Sequence, residues 1–229
     1  MRTRPLRTLP LRTLVATLAA ATLLGGCLSS LLPDPGDAPL VYRLIDPVAG
    51  QGKVPGAAVV RVDNVSSPST YKTNDILVLT ADGTVSAAAG ARWSDDIPEL
   101  LQDAMLSRLS ESDEFIGIIP VAGARSSLRL HLDTREFAAS YNEGDLSPPT
   151  AVVHVYATVS EAASRNFVGS FDSVARVRAS DNRVSAIVDA QAQATREALD
   201  AVVGWMEGLP ITDDLPEVMA SAGSFPTLP

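Results

Sequence analysis

From Val184 onward one helical face stays apolar for about seven turns of 3.6 residues, a run that few folds can accommodate. Val184, Ile187, Val188, Gln191, Ala194, Thr195, Ala198, Leu199, Val202, Trp205, Met206 and Leu209 carry the stripe. An amphipathic helix gains most of its stability from whatever covers that face, so the rest of the chain must supply a broad apolar surface. Asp181 is the expected N-cap. A shorter stripe, Ile97, Leu100, Leu101, Ala104, Met105 and Leu109, predicts a second helix over residues 95–110. Ser94 is the expected cap there, with Asp95 and Asp96 in the first turn, where backbone amide dipoles favour negative charge.

The surface those helices need is present as strands. Residues 41–45, 57–65 and 75–80 read as three short ones, and Asp82-Gly83 predicts a tight turn into a fourth over 84–93. Residues 115–119 form another. In 128–137, Leu128, Leu130 and Leu132 alternate with Arg129, His131 and Asp133. Val153, Val155, Ala157 and Val159 alternate with His154, Tyr156 and Thr158, and 167–179 pairs back across the turn at 163–166. The expected architecture is a single α/β domain: a mainly antiparallel sheet with two amphipathic helices packed on one face.

Cys27 is the sole cysteine, and it ends Leu24-Gly25-Gly26-Cys27 behind a basic, then apolar, N-terminus. Arg2, Arg4, Arg7 and Arg12 precede the apolar residues 14–24. As a helix that stretch reaches only about 16 Å, against roughly 30 Å of hydrocarbon, so it suits cleavage better than spanning. The pattern is that of a bacterial lipoprotein signal: diacylglycerol on the thiol, cleavage before it, and acylation of the new amine. Two or three acyl chains make a stable anchor. Leu28, rather than aspartate, follows the cysteine and favours sorting to the outer membrane. The expected organisation is a signal peptide over 1–26, a lipidated tether over 27–40, the domain over 41–209 and a flexible tail over 210–229.

Cleavage removes four of the 18 basic residues and none of the 27 acidic ones, moving the formal charge from -9 to -13. Such a surface repels nucleic acid, so no nucleic-acid partner is expected. With Cys27 acylated no thiol is left for disulfides or cysteine metal sites. Catalytic patterns are equally sparse. Gly-x-Ser-x-Gly, His-Glu-x-x-His and glycine-rich nucleotide loops are absent from the sequence, so no enzyme activity, metal or cofactor is expected. His131 and His154 would be neighbours if their strands pair, and Asp133 is two residues from His131. A periplasmic hydrolase built on them is one rival reading, and an envelope assembly or maintenance lipoprotein unconnected with transport is another.

Four side chains stand out. Tyr71 and Lys72 lie in Pro68-Ser69-Thr70-Tyr71-Lys72-Thr73-Asn74-Asp75, a segment that no periodicity claims, and are candidates for partner contact. Trp93 ends a strand just before a helix, and Trp205 lies on the apolar side of the long one. Both are expected to be structural.

These parts together resemble the auxiliary lipoprotein family of ABC-type transport systems that includes the PqiC-like proteins. The likeness covers roughly residues 40–209. It is carried by Tyr42-Arg43-Leu44, Val59-Val60-Arg61-Val62, Asp75-Ile76-Leu77-Val78, and Ala91-Arg92-Trp93 leading into Leu100, Leu101 and Leu109. In place of the family's Tyr-Leu-x-x-Pro run stands Tyr71-Lys72-Thr73-Asn74-Asp75. The resemblance implies a non-catalytic, lipid-anchored component facing the periplasm in a system that moves lipid between the two membranes. Its implied partners are an ABC permease and ATPase, a substrate-binding protein with a mammalian-cell-entry (MCE) domain, and further copies of itself in a homo-oligomer.

Overall fold

The structure, a computed structural model, describes residues 38–44, 56–120, 124–144 and 146–209. Cys27, the expected signal, all but the end of the expected tether, and the expected tail lie outside the described residues. In chain order the strands are β1 (Leu40–Tyr42), β2 (Ala58–Val62), β3 (Asp75–Thr80), β4 (Val85–Trp93), β5 (Phe115–Ile118), β6 (Leu128–Tyr141), β7 (Thr150–Glu161) and β8 (Phe167–Arg178). The helices are α1 (Ile97–Glu111), between β4 and β5, and α2 (Val184–Glu207), after β8. Together the strands form one mixed sheet of eight among the described residues.

The long alternating strand β6 organises this sheet. One edge pairs antiparallel with β7 along almost its whole length, and β8 continues the antiparallel meander. The opposite edge is shared. β2 pairs parallel with residues 128–130, and β3 pairs parallel with residues 139–141. β5 adds to β2, while β4 and then β1 add to β3. The expected antiparallel character therefore holds for the long strands and for the β3–β4 hairpin, and parallel pairs of three or four residues fill the remainder. A parallel pair cannot be closed by a hairpin. The helical connection through α1 brings β5 alongside β2.

Alternation puts Val60, Val62, Leu128, Leu130, Leu132, Val153, Val155, Ala157 and Val159 in the core, nearly all fully buried. The α1 stripe from Ile97 to Leu109 and the α2 stripe from Ala186 to Met206 close the same core. Burying each large aliphatic side chain contributes about 1.5–3 kcal/mol, which outweighs modest local propensities. Buried polar groups on α2 are satisfied: the Thr195 hydroxyl donates to Gln191 O at 2.8 Å, and the Ser173 hydroxyl of β8 donates to Ala198 O at 2.8 Å. At the surface, Arg108 of α1 pairs with Asp200 of α2 at 2.6 Å, and the Ser112 hydroxyl donates to Glu207 at 3.0 Å.

Several local expectations shift. Ser94 does not cap α1. Asp96 occupies the N-cap position without a side-chain cap bond, and the Ile97 N–H instead donates to the Thr73 carbonyl at 3.0 Å. Arg183, not Asp181, occupies the cap of α2, again without a side-chain bond. β6 runs four residues past Phe137 because β3 and β7 flank its far end. An irregularity between Thr134 and Glu136 interrupts its alternation there, as an extra unpaired residue does in a bulge.

Candidate functional site

Because β2 and β3 share one edge of β6, the chain between them must leave that edge and return. Its first part still follows β6: the Ser66 N–H donates to Leu132 O, the Thr134 N–H donates to Ser66 O, and the Ser67 hydroxyl donates to Thr134 Oγ1 at 2.8 Å. Pro68, Ser69 and Thr70 then swing into solvent and turn through a short 3-10 segment, Ser69–Tyr71, closed by the Tyr71 N–H on Pro68 O at 3.0 Å.

Here the two partner-contact candidates part company. Tyr71 folds back half-buried against the core, while Lys72 is exposed. Burial of the Tyr71 hydroxyl raises its pKa above the ordinary 10.0, and the Glu136 carboxylate adds to the rise while a hydrogen bond with the Phe137 backbone opposes it. Beyond Lys72 the segment is fastened to its surroundings. The Thr73 carbonyl holds the first amide of α1, the Trp93 N–H donates to Asn74 O at 2.7 Å, and the Thr73 hydroxyl donates to Asp75 at 2.9 Å. The exposed turn thus sits on a base braced by β6, β4 and α1.

Trp93 lies inside that base. It is 1% exposed and meets Phe137 edge-on, with ring centroids 6.2 Å apart. Its Nε1 has no hydrogen-bond partner among the described residues. Trp205 is partly exposed and stacks on Phe171 of β8 at 5.5 Å, the rings 12° from parallel. Gly169 makes room for it, since a Cβ there would lie 3.0 Å from Trp205 Cζ2.

The histidines do not converge. On the β6–β7 ladder His131 faces Thr158 and His154 faces Glu136, a separation of four β7 residues or roughly 13 Å along the strand. His131 Nε2 is 3.0 Å from Ser66 Oγ and 3.8 Å from Asp133 Oδ1. Hydroxyl and carboxylate thus crowd one ring nitrogen, whereas a nucleophilic triad needs them on opposite nitrogens. His154 Nε2 pairs with Asp172 at 2.6 Å on the open face of the meander. Nearby, Tyr156 donates to Ser170 at 2.8 Å beneath Arg135, and at the other end of β6 Asp63 joins Arg61 and Arg129 at 3.0 and 2.7 Å. Of these contacts, His154–Asp172, Tyr156–Ser170 and Asp63–Arg129 join side chains on neighbouring stretches of chain, and Arg61–Asp63 is local. Among the described residues no three His, Cys, Asp or Glu side chains are grouped to hold a metal ion, and no helix is long and apolar enough to cross a membrane.

Two solved structures share this sheet with its two helices. A crystal structure of a Xanthomonas campestris protein, 20% identical, superposes with a TM-score of 0.62 and covers 72% of this chain and 94% of its own. A crystal structure of an uncharacterized protein, 12% identical, reaches 0.59 and covers 74% and 99%. At such identities the likeness establishes the fold. No curated protein sequence matches. The family model described as "ABC-type transport auxiliary lipoprotein component" matches residues 42–203. The chain belongs to that family, and with it to the non-catalytic auxiliary components of ABC-type transport.

Proposed function

We propose that this protein is a lipoprotein held by acylated Cys27 at the periplasmic face of the outer membrane, where it serves an MCE-type system that moves lipid between the membranes. Its companions in this reading are an ABC permease and ATPase and an MCE-domain substrate-binding protein. The family match across 42–203 carries the reading, and the Leu24-Gly25-Gly26-Cys27 sequence supports the anchor. ATP hydrolysis and substrate carriage belong to the partners. This chain contributes position: tethering a docking surface to one membrane raises the effective concentration of whatever binds it. The turn Pro68–Lys72, exposed on a braced base, is the proposed contact, with Lys72 reaching the partner and Tyr71 holding the turn in place.

Affinity purification from mildly solubilised envelopes tests the partnership. The expected result is co-recovery of the MCE-domain and permease components, reduced by Lys72→Glu. Repeated recovery of the chain alone refutes it. Mass spectrometry of the native N-terminus separately reads the anchor, because an unmodified Cys27 thiol excludes it.

A further inference from the structure

Strand register singles out one end of the domain. The residues Val85, Leu79, Ser140, Thr150 and Arg178 lie side by side across β4, β3, β6, β7 and β8. Beyond that row come the β3–β4 turn and the β6–β7 connection. Leu146 in that connection is 97% exposed, and Val85 in the row is 40% exposed. β1 runs parallel to β4 with Leu40 level with Ala91, so Pro39 enters β1 from the side on which Val85 lies. Leu40 and Val41, on that approach, are 64% and 56% exposed. The opposite end carries Phe167, at the start of β8.

We infer that the end bearing Val85 and Leu146 rests on the bilayer, contacting the boundary between headgroups and acyl chains. This rests on the Cys27 anchor proposed above. Chain length allows it: the 13 residues from Cys27 to Leu40 span at most about 45 Å, whereas the Val85 row, with the β4 irregularity opposite Asp75 and Leu77 shortening the path, lies at most about 20 Å beyond the Ala91 level. The anchor can therefore sit in the same plane as the tip of the β3–β4 hairpin. Direction of entry and exposed leucine and valine side chains select the lipid surface as occupant. Among the described residues at this end, charge is largely paired: Glu143 with Arg178 at 2.8 Å and Asp181 with Arg183 at 3.0 Å, leaving Asp82 in the turn, while the sequence adds Asp145 beside Leu146. The contact is apolar in kind and independent of anionic lipid.

The test uses the mature chain, residues 27–229, coupled through its Cys27 thiol to maleimide-bearing lipid in phosphatidylcholine vesicles, so that the readout does not depend on native acylation. Leu146→Trp, Val85→Trp and Phe167→Trp are compared with the parent, whose emission from buried Trp93 and partly exposed Trp205 is subtracted. Vesicles with brominated acyl chains are expected to quench the emission added by Leu146→Trp and Val85→Trp and shift it to the blue, leaving that of Phe167→Trp unchanged. If brominated lipid leaves the first two unaffected, or quenches Phe167→Trp as strongly, the inference is overturned. A native product lacking acyl chains refutes the anchor instead, and is read by mass spectrometry.

Discussion

Replacing Gly117 with alanine tests how closely α1 sits on the sheet. A Cβ at Gly117 in β5 would lie 3.0 Å from Leu106 Cδ2, 3.1 Å from Leu109 Cδ1 and 3.2 Å from Leu109 Cβ. Leu106 can swing aside, being half-buried, but Leu109 is fully buried and its Cβ moves only with the helix. Overpacking of this kind costs about 1–3 kcal/mol, and the lower chain entropy of alanine in the unfolded state returns about 0.4–1 kcal/mol. At the midpoints of these ranges the expected net loss is about 1.3 kcal/mol. For a domain of this size that lowers the melting temperature by roughly 3–5 °C. Gly204→Ala is the matched control: it lies on the exposed side of α2, nothing stands within 4 Å of its Cβ, and helix propensity gives a gain of about 0.8–1 kcal/mol. Thermal unfolding followed by circular dichroism should move in opposite directions for the two. Equal or greater stability in Gly117→Ala would refute the spacing between α1 and β5.

Tyr71 has a folded-state pKa above its ordinary 10.0, so its contribution to stability is complete below about pH 10 and lost as pH rises through the folded value. Tyr71→Phe should remove that part of the alkaline decline, and spectrophotometric titration of phenolate should show one late-titrating tyrosine fewer. His154→Ala should change stability by no more than about 1 kcal/mol in denaturant unfolding, because its pair with Asp172 lies on the solvent side of the meander. It should also leave partner recovery unchanged, and a loss of recovery would place His154 at the contact.

Period was the legible part of this chain. The α2 stripe from Val184 to Met206 and the alternation from Val153 to Val159 each report one buried face, and each appears where periodicity places it. The pairing partners were not legible. Which edge of β6 receives β2 and which residues receive β3 depend on contacts far apart in sequence, and no local signal at Val60 or Val78 encodes them. Ser94 misled because a good capping residue was available, while the Thr73 carbonyl, brought in by tertiary structure, took the amide of Ile97. The candidate site divided in the same way. A segment without periodicity was recognisable, but the burial of Tyr71 beside exposed Lys72 follows from the return path to β3. A hydrophobic aromatic within an otherwise polar turn was the one available hint.

β6 also decouples its neighbours. Since β2 and β3 are each pinned to a different stretch of the same strand, the number of residues joining them sets neither register. Lengthening the turn at Ser69 or Thr70 costs only loop-closure entropy, about 0.6 kcal/mol per doubling. Evolution, or an engineer seeking a place for an epitope, can therefore rewrite this turn while the sheet beneath it stays the same.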